Sequence, residues 1–107
     1  MSEAEFEAAR TFAERVIPDG DGPNVHHWVA SGRRLMVAAN LMAGREDGKE
    51  GEAREDHARQ LLRLPDDELI ARLQASSCVT VMMEGKRLAG ASEREVTSIL
   101  AMVGLVV

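Results

Sequence analysis

Apolar and small residues recur at alternating steps of four and three between Val25 and Met42, at Trp28, Gly32, Leu35, Ala39 and Met42. This spacing places them on one side of an α-helix. Much of the opposite side is apolar as well. A helix that is apolar nearly all round is normally enclosed by its neighbours. The pattern therefore predicts a central helix over Asn24–Ala43, with Asn24 as its N-cap.

The polar residues of this central helix form two narrow edges. One edge consists of His26, Arg33 and Asn40, and the other of His27 and Arg34. Trp28 belongs to the core side, so we expect it to be substantially buried. Glycine costs about 1 kcal/mol relative to alanine inside a helix. The presence of Gly32 therefore suggests that another backbone approaches closely there.

Further helices are predicted on both sides of the central one. Ser2 and Ser92 each begin an S-x-x-E sequence, the capping box that starts a helix. The first helix must end before Pro18, because the residue before a proline is extended. Two more helices are expected, one over about Glu50–Arg63 and a short one with Pro65 at its first position.

The stretch Val79–Met83 is a continuous apolar run, too short for periodicity to decide between helix and strand. We expect a short buried helix, with Cys78 beside it as a small core residue. Aromatic residues make up only 3% of the chain, so the core must consist of aliphatic residues and methionine, which suits helices. The predicted fold is an all-α, compact bundle of five to six helices.

The length of 107 residues suits one small domain, covering 1–107. The sequence closes on the apolar ILAMVGLVV, so we expect the natural polypeptide to continue and the domain to be excised from a larger protein. No apolar run approaches the roughly 20 residues of a membrane span. A single cysteine and the lack of a cationic-then-apolar opening favour a reducing, cytoplasmic setting.

The formal charge of −5 and the sequence pI near 5.2 disfavour unaided binding to nucleic acid. Phosphate contacts draw much of their free energy from counterions released by clustered lysine and arginine. The 13 basic residues are instead spread mostly among carboxylates. A local basic face remains open.

No catalytic group, cofactor or metal site is expected, so the domain is not expected to be an enzyme. His26 and His27 would point about 100° apart on a helix and could not hold one ion together. The segment GREDGKEG, residues 44–51, has the wrong spacing for a P-loop and Glu50 where the hydroxyl belongs. The helix dipole accounts for the carboxylates after Pro65.

An ordered set of short motifs resembles the all-α domain of TraD/TrwB-type coupling proteins of conjugative type IV secretion. The first half carries Phe12, Ile17-Pro18, a Gly/Asp-rich loop, Trp28, Ser31-Gly32-Arg33 and Leu41-Met42. The second half carries Leu61-Leu62, Leu69, Leu73, a serine-bearing break and Ser98-Ile99. The resemblance spans nearly the whole chain.

This resemblance implies a substrate-recognition domain. Coupling proteins are hexameric, membrane-anchored ATPases that bring relaxase-bound DNA or effector proteins to the secretion channel. Their all-α domain is inserted in the nucleotide-binding domain, at the cytoplasmic face of the inner membrane. The expected partners are relaxase, relaxosome accessory or secreted effector proteins, and the isolated domain is expected to be monomeric. An inserted domain also implies that the first and last helices pack side by side.

Two sets of charged residues are candidate binding sites. Acidic helix starts could steer a basic recruitment signal of a partner protein; they comprise Glu50, Glu52, Glu55, Asp56, Asp66, Asp67 and Glu68. The alternative is DNA contact, as in the similar amino-terminal domain of tyrosine recombinases, through Arg33, Arg34, Lys86, Arg87 and Arg94. Clustering of these five cations on one face would favour DNA, and dispersal among carboxylates would favour protein.

Methionines are a third feature that bears on binding. Met36, Met42, Met82, Met83 and Met102 could line an adaptable groove if any of them is exposed. Their more common role is to fill the core.

Overall fold

Six α-helices make up most of the residues described by the computed structural model, 2–20 and 25–107. In chain order they are α1 (Glu3–Val16), α2 (Val25–Arg45), α3 (Gly51–Leu61), α4 (Asp66–Gln74), α5 (Val79–Gly90) and α6 (Glu93–Gly104). The prediction of an all-α bundle is confirmed, with six helices over the described ranges.

Both predicted capping residues begin helices. The Ser2 hydroxyl accepts a hydrogen bond from the Glu5 amide at 3.1 Å, and the Ser92 hydroxyl accepts one from the Glu95 amide at the same distance. Each bond satisfies one of the amides left without a partner in the first turn of a helix. Pro65 lies immediately before α4, one position earlier than predicted.

The central position of α2 is confirmed. This helix packs against α1, α3, α5 and α6, while α4 packs against α5. All nine residues of the range 35–43 are buried, since neighbours enclose this part of the helix. The helix extends two residues further than expected, to Arg45. The predicted N-cap, Asn24, lies outside the described residues.

Two details predicted for α2 are wrong. Asn40, assigned to a polar edge, is only 4% exposed. Gly32 approaches side chains and not a backbone, because a Cβ there would meet Met102 Cε at 2.5 Å and Ile17 Cδ1 at 3.0 Å. Trp28 is largely shielded from solvent and packs against the edge of the core, as its position on the core side of the helix predicted.

The predicted pairing of the first and last helices is also wrong. Both α1 and α6 pack against α2, and they make little direct contact with each other. Ile17, at the end of α1, and Met102, in the last turns of α6, both lie close to Gly32 of α2.

The apolar run Val79–Met83 forms the first turns of α5, so its prediction as a helix is confirmed. Its predicted burial is wrong for two residues, because Val79 is 67% exposed and Met83 is 55% exposed. Cys78, just before the helix, is buried as predicted. Both residues are exposed because they lie on a side of α5 that faces the open space between α5 and α1.

Candidate functional site

A groove of about 900 Å³ runs between α1 and α5. Both helices pack against α2, but they make little direct contact with each other, so the space between them remains open. We call it the α1–α2–α5 groove. Its lining consists of Phe6, Arg10, Ala13, Glu14, Arg33, Arg34, Val37, Val79, Thr80, Met83, Glu84 and Arg87.

Helical spacing accounts for this lining. On α5, Val81, Gly85 and Leu88 face the bundle and are buried. Val79 and Met83 belong to the next stripe round the helix, at a spacing of four residues, and this stripe faces the groove. The residues of α1 that line the groove are also spaced three or four positions apart along their helix.

The centre of the groove is apolar. Buried Ala13 and Val37 line it where α1 meets α2, and half-buried Phe6 lies near the start of α1. Val79 and Met83 expose large apolar side chains along the α5 wall. An apolar concave surface with exposed large side chains is typical of binding sites for partners or ligands.

Arginines surround this apolar surface, and two of them are held by carboxylates outside α5. Arg10 is 3.1 Å from Glu7 and 3.8 Å from Glu14, both on its own helix. Arg33 donates to the Ile17 carbonyl oxygen at 2.7 Å and is 3.0 Å from the carboxylate of Asp19. These carboxylates balance the charges of the two arginines along the α1 and α2 edges of the groove.

A third arginine is held within α5. Arg87 donates two hydrogen bonds to the Glu84 carboxylate, one of them from Nε at 3.0 Å. Glu84 is only 6% exposed, so its charge is compensated by this bidentate contact.

Arg34 differs from the other three arginines. It is exposed, and its hydrogen bond is a long one of 3.4 Å to the Ser31 hydroxyl. Within residues 2–20 and 25–107, no carboxylate oxygen lies within 4.0 Å of its guanidinium. Arg34 therefore offers an accessible positive charge beside the apolar surface.

The structure brings together three of the five residues considered for DNA contact. Arg33, Arg34 and Arg87 line the same groove. Lys86 and Arg94 are exposed and lie outside its lining. Because two of the three clustered arginines are paired with carboxylates, the arrangement is not an open basic face.

The acidic candidates occupy two separate helix starts. Glu50, Glu52, Glu55 and Asp56 lie at the start of α3, where Glu55 pairs with Arg15 at 2.6 Å and Asp56 with Arg59 at 3.4 Å. Asp66, Asp67 and Glu68 form the exposed first turn of α4. None of these seven residues lines the α1–α2–α5 groove.

The methionines divide between the core and the surface. Met36 and Met42 are fully buried in α2, which is the common role. Met82 and Met102 are half-buried, and Met102 lines a smaller cleft beside Trp28 and Ser98. Met83 alone of the five is exposed, and it lines the groove.

Two of the three histidines lie beside carboxylates. His57 Nε2 lies 2.7 Å from the Asp47 carboxylate, which is also 3.6 Å from Arg72. His27 lies 3.4 Å from Glu95 and edge-on to Trp28. Over the described ranges, no three His, Cys, Asp or Glu side chains are grouped to hold a metal ion.

Sequence reasoning missed the groove, although one signal pointed to it. Five consecutive residues, Val79 to Met83, cover more than one helical turn of about 3.6 residues. Such a run cannot face a single core with all its side chains, so part of it must lie on another surface.

Comparisons with models of known protein families, with curated proteins and with solved structures gave no match. Among the described residues, no helix has both the length and the apolar character to cross a membrane.

Proposed function

We propose that this chain is a protein-recognition domain that seats a helical segment of a partner protein in the α1–α2–α5 groove. The observation that carries the proposal is the row of exposed apolar side chains, Val79 and Met83, along one wall of an apolar groove. Burying such side chains against a partner supplies a favourable free energy that a monomer leaves unused.

The length of the groove suits a short helix. Its α5 wall extends from Val79 to Arg87, eight steps along the helix. At about 1.5 Å per residue this wall is roughly 12 Å long, or about two helical turns. A partner helix could therefore anchor two or three apolar side chains at the i, i+4 and i+7 spacing of helix-in-groove recognition.

The resemblance to the all-α domain of coupling proteins names a partner class. In that setting the bound segment belongs to a relaxase, a relaxosome accessory protein or a secreted effector, recruited for conjugative transfer of DNA or protein. Recognition of this kind needs no catalytic group in the domain itself.

Charge pairing supports a protein partner over DNA. Phosphate contacts would compete with the carboxylates of Asp19 and Glu84 for Arg33 and Arg87. The chain as a whole also carries a charge of −5, which repels duplex DNA at a distance. We expect DNA to bind no better than the roughly 10⁻⁴–10⁻⁶ M typical of non-specific contacts.

The test is a titration of the 107-residue chain with the relaxase and accessory proteins encoded beside its gene. Met83→Lys places a charge on the apolar wall, and Leu105→Lys places one on an apolar residue outside the groove that is 87% exposed. Both changes concern exposed side chains, so both variants should remain folded.

We expect Met83→Lys to weaken binding at least about tenfold, as for a central anchor, and Leu105→Lys to leave it within about twofold. Equal binding by both variants would contradict the groove as the site. Sub-micromolar duplex DNA binding that persists at about 0.15 M salt, without binding to any of these proteins, would favour the DNA alternative.

A further inference from the structure

Most of the charge around the α1–α2–α5 groove is balanced within the fold, and one arginine stands apart. The groove lining contains four arginines and two glutamates. Glu7 and Asp19, which lie beside the lining, balance two of these arginines, and the buried Glu84 balances a third. Arg34 is the lining arginine with no carboxylate within 4.0 Å among residues 2–20 and 25–107. Low-dielectric walls strengthen the attraction of such a charge for a ligand of opposite sign.

The two glutamates of the lining differ in how accessible they are to a basic segment. Glu84 is buried and held by Arg87. Glu14 is exposed and lies 3.8 Å from Arg10. A lysine or arginine on the partner would have to displace Arg87 from Glu84 or compete with Arg10 for Glu14.

Arg34 is accessible to a carboxylate of a bound ligand. Its guanidinium is exposed, bonds only weakly to Ser31 and has no carboxylate partner within the described ranges. It lies three residues before Val37, so the charge and the apolar floor are neighbours on the same helix face. A ligand seated on Val37 would present its flanking residues to Arg34.

From this arrangement we infer that the groove binds an acidic amphipathic helix, with an apolar stripe bordered by Asp or Glu and one carboxylate paired with Arg34. This inference rests on the proposed function and specifies that the bound segment is negatively charged. It replaces the basic recruitment signal expected from the acidic helix starts, which lie outside the groove. Arginine suits the task because its planar guanidinium binds a carboxylate through two parallel hydrogen bonds.

Two synthetic helical peptides test the inference. Both carry leucines at i, i+4 and i+7, and one has glutamates beside the leucines where the other has lysines. Fluorescence anisotropy measures the binding of each to the 107-residue chain at about 0.15 M salt. We expect the glutamate peptide to bind at least about tenfold more tightly than the lysine peptide.

Reversing the charge of single arginines tests whether Arg34 causes the preference for the glutamate peptide. Arg34→Glu should weaken the glutamate peptide about tenfold and strengthen the lysine peptide, while Arg34→Gln should give a smaller loss. Arg94→Glu is the matched control, because Arg94 is an exposed arginine outside the groove. It should change either affinity by less than about twofold, and circular dichroism confirms that all three variants are folded.

The outcomes separate this inference from the proposed function. Equal binding of the two peptides, abolished by Met83→Lys, would overturn the acidic preference and leave groove recognition intact. Tighter binding of the lysine peptide, or equal effects of Arg34→Glu and Arg94→Glu, would also overturn it. Failure of both peptides to bind would count against both proposals.

Discussion

Gly85 holds α5 against α4, and replacing it by alanine should destabilise the domain. A Cβ at this position would lie 2.5 Å from the Gln74 nitrogen, 2.8 Å from the Leu73 carbonyl carbon and 2.9 Å from Leu73 Cβ. Two of these three atoms belong to the α4 backbone, which cannot move aside as a side chain can. The helix pair would therefore have to separate.

The size of the effect follows from two opposing contributions. Overpacking costs typically about 1–3 kcal/mol, and contact with backbone places Gly85→Ala at the upper end. Alanine recovers about 1 kcal/mol of helix propensity. The free energy of unfolding should fall by about 2 kcal/mol net, which lowers the Tm of a domain of this size by about 10 °C.

Gly32→Ala is the matched control, because it is also a buried glycine inside a helix. The atoms that its Cβ would meet, Met102 Cε and Ile17 Cδ1, are the ends of flexible side chains. Its gain in propensity should offset most of the contact cost, so its stability should stay within about 1 kcal/mol of the parent chain.

Urea unfolding followed by circular dichroism measures both variants. Equal stability of the two, or a Gly85→Ala chain as stable as the parent, would refute the close contact between α4 and α5. That contact also bears on function, since α4 supports the helix that carries Val79 and Met83.

Two further substitutions test the outer parts of the fold. Trp28→Ala should lower the free energy of unfolding by about 2 kcal/mol, less than the roughly 3–5 kcal/mol of a fully buried tryptophan, because the ring is partly buried. Affinity for the glutamate peptide should not change. Loss of binding at unchanged stability, measured by anisotropy and urea unfolding, would make Trp28 a contact residue. Glu84→Ala should lower the unfolding free energy by about 1–2 kcal/mol, since it removes the partner of Arg87, whose side chain is 28% exposed and can partly rehydrate. An unchanged urea midpoint would show that the pair contributes nothing.

Local features of the fold could be predicted because they depend on neighbouring residues. The Ser2 and Ser92 caps act within three residues of themselves, and both form. The central helix was predictable because its apolar positions cover nearly the whole circumference, and the structure encloses it on several sides.

Features that depend on which helices meet could not be predicted. Asn40 falls on a polar edge of α2 by periodicity, yet α3 packs on that helix, and Arg54 of α3 donates to the Asn40 carbonyl oxygen at 2.9 Å. The separation of α1 from α5, which opens the groove, is likewise a tertiary property. No pattern within either helix specifies its distance from the other.

The candidate site was also predictable only in part from the sequence. Arg33, Arg34 and Arg87 were named from sequence as one cationic set, and the structure places them together. The pairing of Arg33 with Asp19 and of Arg87 with Glu84 required the folded chain, and it supports the protein partner that the sequence already favoured over DNA. Lys86, next to Arg87 in sequence, points away because adjacent residues on a helix diverge by about 100°.

Methyl NMR of the 107-residue chain, titrated with the glutamate peptide, would locate the bound helix without any substitution. The predicted result is a shift of the Met83 and Val79 methyl signals, with those of Leu105 and Met102 unchanged, because only the first two line the α1–α2–α5 groove. Shifts confined to Leu105 or Met102, with the Met83 signal unmoved at saturation, would contradict the groove as the recognition site.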